Sequence, residues 1–136
     1  MQKIKTIGDC YMAVAGLPVV VPDHADRAAN MSIDMLLAIE DFNASSQHPL
    51  NIRIGVSSGA AVAGIIGKSK FLYDLWGDVV NTASRMESHG IAGRIQMSES
   101  TRQALIQPFS LEHRGVIEVK GMGEMSTWFL NKRTLN

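Results

Sequence analysis

At 136 residues, 46% hydrophobic and 19% charged, the chain has the size and composition of one globular domain, 1–136, rather than two. Thirteen basic and thirteen acidic side chains cancel, which argues against a nucleic-acid or anionic-membrane partner and requires any phosphate ligand to be held by individually placed residues. A single cysteine, Cys10, excludes a disulfide framework and a cysteine-rich zinc site, His24, His48, His89 and His113 lack zinc-pair spacing, and no apolar run reaches membrane-span length, so a reducing, cytoplasmic setting is expected for this segment whether or not the parent protein is tethered.

Lys3-Ile-Lys-Thr-Ile7 alternates as a strand does, and Tyr11-Met-Ala-Val-Ala15 reads as its partner. Gly8-Asp9 between them predicts a tight hairpin turn of the mirror-image type, with Asp9 at the tip and Lys5 a short way back. A domain rarely opens on a paired hairpin, so a preceding segment is expected. Asp23 is placed as the cap of a long helix through Phe42, with Ala25, Ala28, Ala29, Ser32, Leu36, Ile39 and Phe42 facing a sheet. Asp26, Arg27, Asp34, Glu40 and Asp41 fall on its solvated side, and the polar stretch from Asn43 to Pro49 ends it. Asn51-Ile-Arg-Ile-Gly-Val56 predicts a strand burying Ile52, Ile54 and Val56. The small residues from Ser57 to Gly67 suggest strands approached closely by a backbone or a ligand, ending in a turn at Lys68-Ser-Lys70. Gly67-Lys68-Ser69 matches the end of a phosphate-cradling loop, but Val62 stands where that pattern needs glycine and a strand follows instead of a helix, so it is read as a turn.

The next stretch, Phe71 to Ser88, organises the reading. Phe71 to Trp76 has strand composition, yet Asp74 sits among large apolar neighbours, where a carboxylate is costly to bury without a partner. After Gly77, Asp78 is expected to cap a helix with Val79, Val80, Ala83 and Met86 on its apolar side. Asn81 and Arg85, four apart, share one face: an amide beside a five-donor guanidinium suits a sugar-phosphate, and the same spacing also describes a solvated polar face. Arg94-Ile-Gln-Met97 is a short strand, and Ser98 a cap for a helix to about Gln107, stopped by Pro108. Phe109 to Arg114 and Gly115 to Val119 are strand-like, and Lys120-Gly-Met-Gly123 is a turn into the closing strand Met125 to Leu130. Lys120 there either reaches an anion or is an ordinary exposed turn lysine.

Three blocks in order, Lys3-Ile-Lys-Thr-Ile-Gly-Asp-Cys-Tyr-Met12, Tyr73-Asp-Leu-Trp-Gly-Asp-Val-Val-Asn-Thr-Ala-Ser-Arg-Met86 and Val119-Lys-Gly-Met-Gly123, resemble the catalytic domains of class III nucleotidyl cyclases. The resemblance implies an α/β (α+β) fold, a ferredoxin-like sheet with helices packed on it, and the conversion of ATP to 3′,5′-cyclic AMP and pyrophosphate. It assigns Asp9 to metal binding, Lys5 and Asp74 to the purine, Asn81 and Arg85 to the transition state and Lys120 to the terminal phosphates. Guanylyl members typically carry Glu and Cys where this chain has Lys5 and Asp74, so the resemblance points to ATP. It also implies two Mg²⁺ or Mn²⁺ ions per site and a head-to-tail homodimer in which Asp9 and Arg85 serve different sites.

The family's domain begins earlier than Met1, with a strand bearing the first metal aspartate and helices that lead to the hairpin. The expectation is therefore a partial domain whose sheet lacks that strand, and weak or no activity for 1–136 alone, since two clustered ions are poorly held by one protein carboxylate. A guanylyl cyclase, or a non-catalytic cyclase-like module that binds nucleotide or dimerises to regulate a partner, are the alternatives.

Overall fold

The computed structural model describes residues 1–17, 19–66 and 72–133, and for Ile7, residues 62–66 and residues 72–76 it describes the backbone alone. The elements in chain order are β1 (Gln2–Ile7), β2 (Cys10–Val14), α1 (His24–Ser45), β3 (Ile54–Val56), β4 (Val62–Ile66), β5 (Leu72–Trp76), α2 (Asp78–Ser88), β6 (Ile95–Ser98), α3 (Glu99–Ala104), β7 (Phe109–Val119) and β8 (Gly123–Arg133). The class is α+β, as the resemblance implies: a sheet ordered β3-β6-β8-β7 with helices packed on it, beside the two hairpins β1-β2 and β4-β5. The turn expected at Lys68-Ser-Lys70, like Phe71, lies outside the described residues.

The four-stranded sheet is built around β6, parallel to β3 and antiparallel to β8. All four of its residues are buried, because both faces are covered. Ile95 and Met97 join Ala29 and Ile33 of α1, Val56 and Leu130 in the core. The intervening Gln96 points the other way, its amide donating to the Met86 carbonyl of α2 at 3.0 Å. Strand alternation thus assigns one face of the sheet to α1 and the other to α2.

The first hairpin closes as expected. Ile7 pairs with Cys10 across a two-residue turn, Gly8 adopts φ 58° and Asp9 has no positive φ, the signature of a turn with glycine in first place. One extra residue bulges β1 between Lys3 and Lys5, and Ile4 is turned inward.

Several local expectations are corrected. Asp26, placed on the solvated side of α1, is only 4% exposed. Its carboxylate accepts the backbone N–H of Ile106 at 2.9 Å and of Gln107 at 3.1 Å, which lashes α1 to the chain leaving α3. Phe42, placed on the core side, is 48% exposed, because the buried residues of α1 run only from Ala25 to Ile33 and the later turns extend past the sheet. The helix itself continues into the polar stretch as far as Ser45. Asp23 occupies the cap position of α1 without bonding its amides; its carboxylate takes the Arg27 guanidinium at 2.9 Å instead. The cap of α2 is Gly77, with Asp78 already the first helical residue. Ser98 precedes α3, but its hydroxyl engages Ser57, Ser100 and Thr101 side chains, and α3 stops at Ala104, short of Gln107. Phe109 to Val119 is strand as expected, continuous through a bulge at Arg114.

Removing the Asp26 carboxylate strands two backbone donors in a buried place. Asp26→Ala is expected to lower unfolding free energy by about 2–4 kcal/mol, read as a reduced denaturant midpoint, with Asp41→Ala unchanged because Asp41 is exposed.

Candidate active site

The element that carries two of the expected site residues, α2, is positioned by backbone contact. Gly77 opens it with φ 132°, a conformation L side chains rarely adopt, and Asp78 places a carboxylate at the positive end of the helix dipole. At Gly55 of β3 the two backbones touch: a Cβ there would stand 2.1 Å from the Glu87 nitrogen and 2.5 Å from the Ala83 carbonyl oxygen. Met86 is fully buried beneath the helix, and Thr82 is buried with its hydroxyl donating to the Asp78 carbonyl at 2.8 Å. With that face turned inward, Asn81 is exposed and Arg85 half-buried.

The turn bearing Lys120 packs on the same helix. Met122 N–H closes the turn on the Val119 carbonyl at 2.9 Å, and Met122 Sδ lies 3.7 Å from the Thr82 hydroxyl. Thr82 follows Asn81 directly, so the structure brings the Lys120 turn to the helix of Asn81 and Arg85, with Lys120 itself exposed. Lys5 and Asp74 are approached by their strands, since β1 lies against β5 and the Asp74 Cα pairs with that of Gly64. Lys5 is half-buried just past the β1 bulge; the side chain of Asp74 lies outside the described residues.

Asp9 stands exposed at the tip of the β1-β2 hairpin, and no hydrogen bond or ion pair among the described residues ties it to α2 or to the Lys120 turn. Nor is there, among the described residues, a group of three or more His, Cys, Asp or Glu able to hold a metal ion. Magnesium demands about six oxygen ligands. One exposed carboxylate does not complete such a site.

Three motif blocks thus lie on three neighbouring parts of the fold, and comparison with known proteins gives them a common origin. Residues 1–132 match the family model for the adenylate and guanylate cyclase catalytic domain. The chain belongs to that family. It is 42% identical over 130 residues to an adenylate cyclase of Mycobacterium tuberculosis, covering 96% of this chain and 29% of that protein. It is 45% identical over 132 residues to guanylate cyclase soluble subunit beta-2 of Rattus norvegicus, covering 96% of this chain and 19% of that protein. The chain therefore spans under a third of either relative. Among solved structures, the guanylate cyclase domain of RhGC from Catenaria anguillulae in complex with GTP superposes with a TM-score of 0.90 at 45% identity, covering 98% of this chain and 73% of that one. Relatives of both purine specificities are about equally similar, so overall identity does not assign the base. No helix among the described residues of this cyclase-family domain is long and apolar enough to cross a membrane.

A feature that sequence reading missed lies beside the first turns of α2. An open cleft of about 380 Å³ is lined by Ser57, Ser58, Ser98, Glu99 and Ser126 and reaches Asp78. Of the expected site residues whose side chains are described, Lys5, Asp9, Asn81, Arg85 and Lys120, none lines it. Its hydroxyls are already joined, Ser58 to Thr101 at 3.0 Å and Ser100 to the Ser58 carbonyl at 2.8 Å. The small-residue run from Ser57 was the only trace of it in the sequence. At its edge the Arg102 guanidinium, 3.0 Å away through Nε, and the Trp128 indole N–H hold the Glu99 carboxyl down at about 2 from an ordinary 4.5.

Because the folded form keeps Glu99 ionised, that contribution to stability is complete above about pH 4.5 and fades as pH falls towards 2. Glu99→Gln is expected to flatten this acid limb, measured as the difference between wild-type and variant denaturant midpoints from pH 5 to pH 2. A methyl group at Gly55 cannot be accommodated without moving α2. Gly55→Ala is expected to cost about 1–3 kcal/mol of stability, read by thermal unfolding.

Proposed function

We propose that this chain is the larger part of an adenylyl cyclase catalytic domain. ATP is the substrate, and the ribose 3′-hydroxyl attacks the α-phosphorus. The O3′–P bond forms, the bond from the α-phosphorus to the bridging oxygen of the leaving group breaks, the hydroxyl proton is released, and 3′,5′-cyclic AMP and pyrophosphate result. Arg85 offsets charge building on the α-phosphate, Asn81 orients the ribose so that the hydroxyl lies in line, and Lys120 holds the departing pyrophosphate. Adenine presents its 6-amino donor to the Asp74 carboxylate and its N1 acceptor to Lys5. Guanine reverses both and meets two mismatches.

The observation that carries the reading is the packing of the Lys120 turn onto the Asn81 and Arg85 helix through Met122 and Thr82, within a chain that matches the cyclase family model along nearly its whole length. The approach of β1 to β5 supports pairing Lys5 with Asp74 on the base. A head-to-tail homodimer completes the proposal, with Asp9 of one copy serving the site whose Arg85 comes from the other. A similar solved guanylyl cyclase domain, that of the RhoGC fusion protein from Blastocladiella emersonii, is dimeric, which supports this part of the reading. When bound, Mg²⁺ or Mn²⁺ ions would supply electrostatic stabilisation to the reacting phosphate, and Asp9 offers one carboxylate; among the described residues no group of three or more His, Cys, Asp or Glu could hold such an ion. No step above is assigned to an ion.

The test is product analysis of the purified full-length protein given ATP or GTP with Mg²⁺ or Mn²⁺. Cyclic AMP from ATP is the expected product. Arg85→Ala and Asn81→Ala are each expected to lower kcat by about a hundredfold or more. Lys5→Glu combined with Asp74→Cys is expected to move preference towards GTP. Cyclic GMP alone from the wild type would overturn the assignment of the base, and nucleotide binding by calorimetry without either product would leave a binding module.

A further inference from the structure

We propose that Arg114, seated on a β-bulge and acting with Gln96, is a positioning residue that holds α2 and the Lys120 turn in register. The proposal rests on the functional reading above for its catalytic consequence, though not for its geometry.

In β7, His113 pairs with Trp128 and Gly115 with Thr127, leaving Arg114 as the extra, unpaired residue of a bulge. Gly115 adopts φ 116°, and the buried Thr127 hydroxyl donates to the Gly115 carbonyl at 3.1 Å, fixing the kink. Bulges re-aim side chains. Here His113 lies against the Trp128 ring with centroids 4.5 Å apart, while Arg114 reaches α2, its guanidinium 5.3 Å from the centre of the Phe129 ring.

The guanidinium donates to the His89 carbonyl, at the C-cap of α2, at 2.6 Å, and also to the side-chain oxygen of Gln96. The other end of the Gln96 amide donates to the Met86 carbonyl of the same helix. Gln96 is wholly buried, so its two polar atoms are fully satisfied only while Arg114 and α2 both stay in place. A fixed positive charge at the negative end of the helix adds to the hold.

The same strand runs from Arg114 into Lys120, and two residues further Met122 meets Thr82. The β7 segment with its turn therefore grips α2 at two points, Thr82 in the first half and His89 at the end. Asn81 and Arg85 lie along the span so fixed. Loss of the Arg114 grip frees the end of α2 beyond its contact with Gly55, and with it the last turn, which carries Arg85.

The test compares Arg114→Met and Arg114→Lys in the full-length protein, reading kcat and KM for ATP and amide hydrogen exchange across residues 78–89. Arg114→Met is expected to lower kcat about tenfold or more with KM unchanged and to speed exchange in α2 while β6 stays protected. Arg114→Lys, which keeps the charge and loses the fork, is expected to restore both in part. Should Arg114→Met fail to fold, the same two readouts on Arg114→Lys decide. Wild-type kcat with wild-type exchange overturns the proposal, as does a loss spread evenly over β6 and α2, which marks general destabilisation. If the wild type makes no cyclic nucleotide, the functional reading fails, and the exchange of α2 alone then upholds or overturns the grip.

Discussion

The close approach of α2 to β3 is the constraint on which the rest of the structure depends. At Gly55 there is no room for a side chain, so helix and sheet meet backbone to backbone. Close-packed interiors transmit such contacts without slack. The direction of α2 is consequently set by the sheet rather than by the loops at its ends, and the polar face with Asn81 and Arg85 is delivered to one place. Met86 and Gln96, both buried between helix and sheet, leave the helix few alternative seats.

The sheet in turn owes its form to β6, a strand covered on both faces. Ile95 and Met97 supply the apolar core against α1, whereas Gln96 is a buried amide in the middle of that strand. An apolar residue there would bury more comfortably, since polar groups cost free energy away from water unless bonded. The amide has its partners in Met86 and Arg114, and the arrangement gains specificity of helix placement from a position that contributes little to hydrophobic stability. Asp26 plays a similar part at the far side of the core, where a carboxylate takes up the two amides of Ile106 and Gln107 in the irregular chain that follows α3.

The residues proposed to act in the site divide by what holds them. Asn81, Arg85 and Lys120 are carried by elements locked to one another, as suits groups that must meet charge developing at a fixed point. Lys5 and Asp74, the pair proposed to read the base, ride on strands that lie side by side. Asp9 sits exposed at the tip of the hairpin whose first strand carries Lys5.

The sequence by itself determined a good deal: the Gly8-Asp9 hairpin, the four-residue spacing that puts Asn81 and Arg85 on one helix face, the glycine-rich turn at Lys120, and membership of the cyclase family. These are local matters, decided by turn chemistry, periodicity and motif, and they need no knowledge of distant neighbours. Tertiary structure alone decided that Asp26 is buried, that Phe42 overhangs the sheet, that Gly77 and not Asp78 caps α2, and that Arg114 points at a helix twenty-five residues earlier in the chain. Each of those depends on what another segment brings to the spot: two backbone amides past α3 in need of an acceptor, a core that ends before the helix over it does, a bulge turning one side chain around. Hydrophobic pattern reports how much of a residue's surroundings is apolar, and it is silent about which backbone groups will arrive there in need of a hydrogen bond.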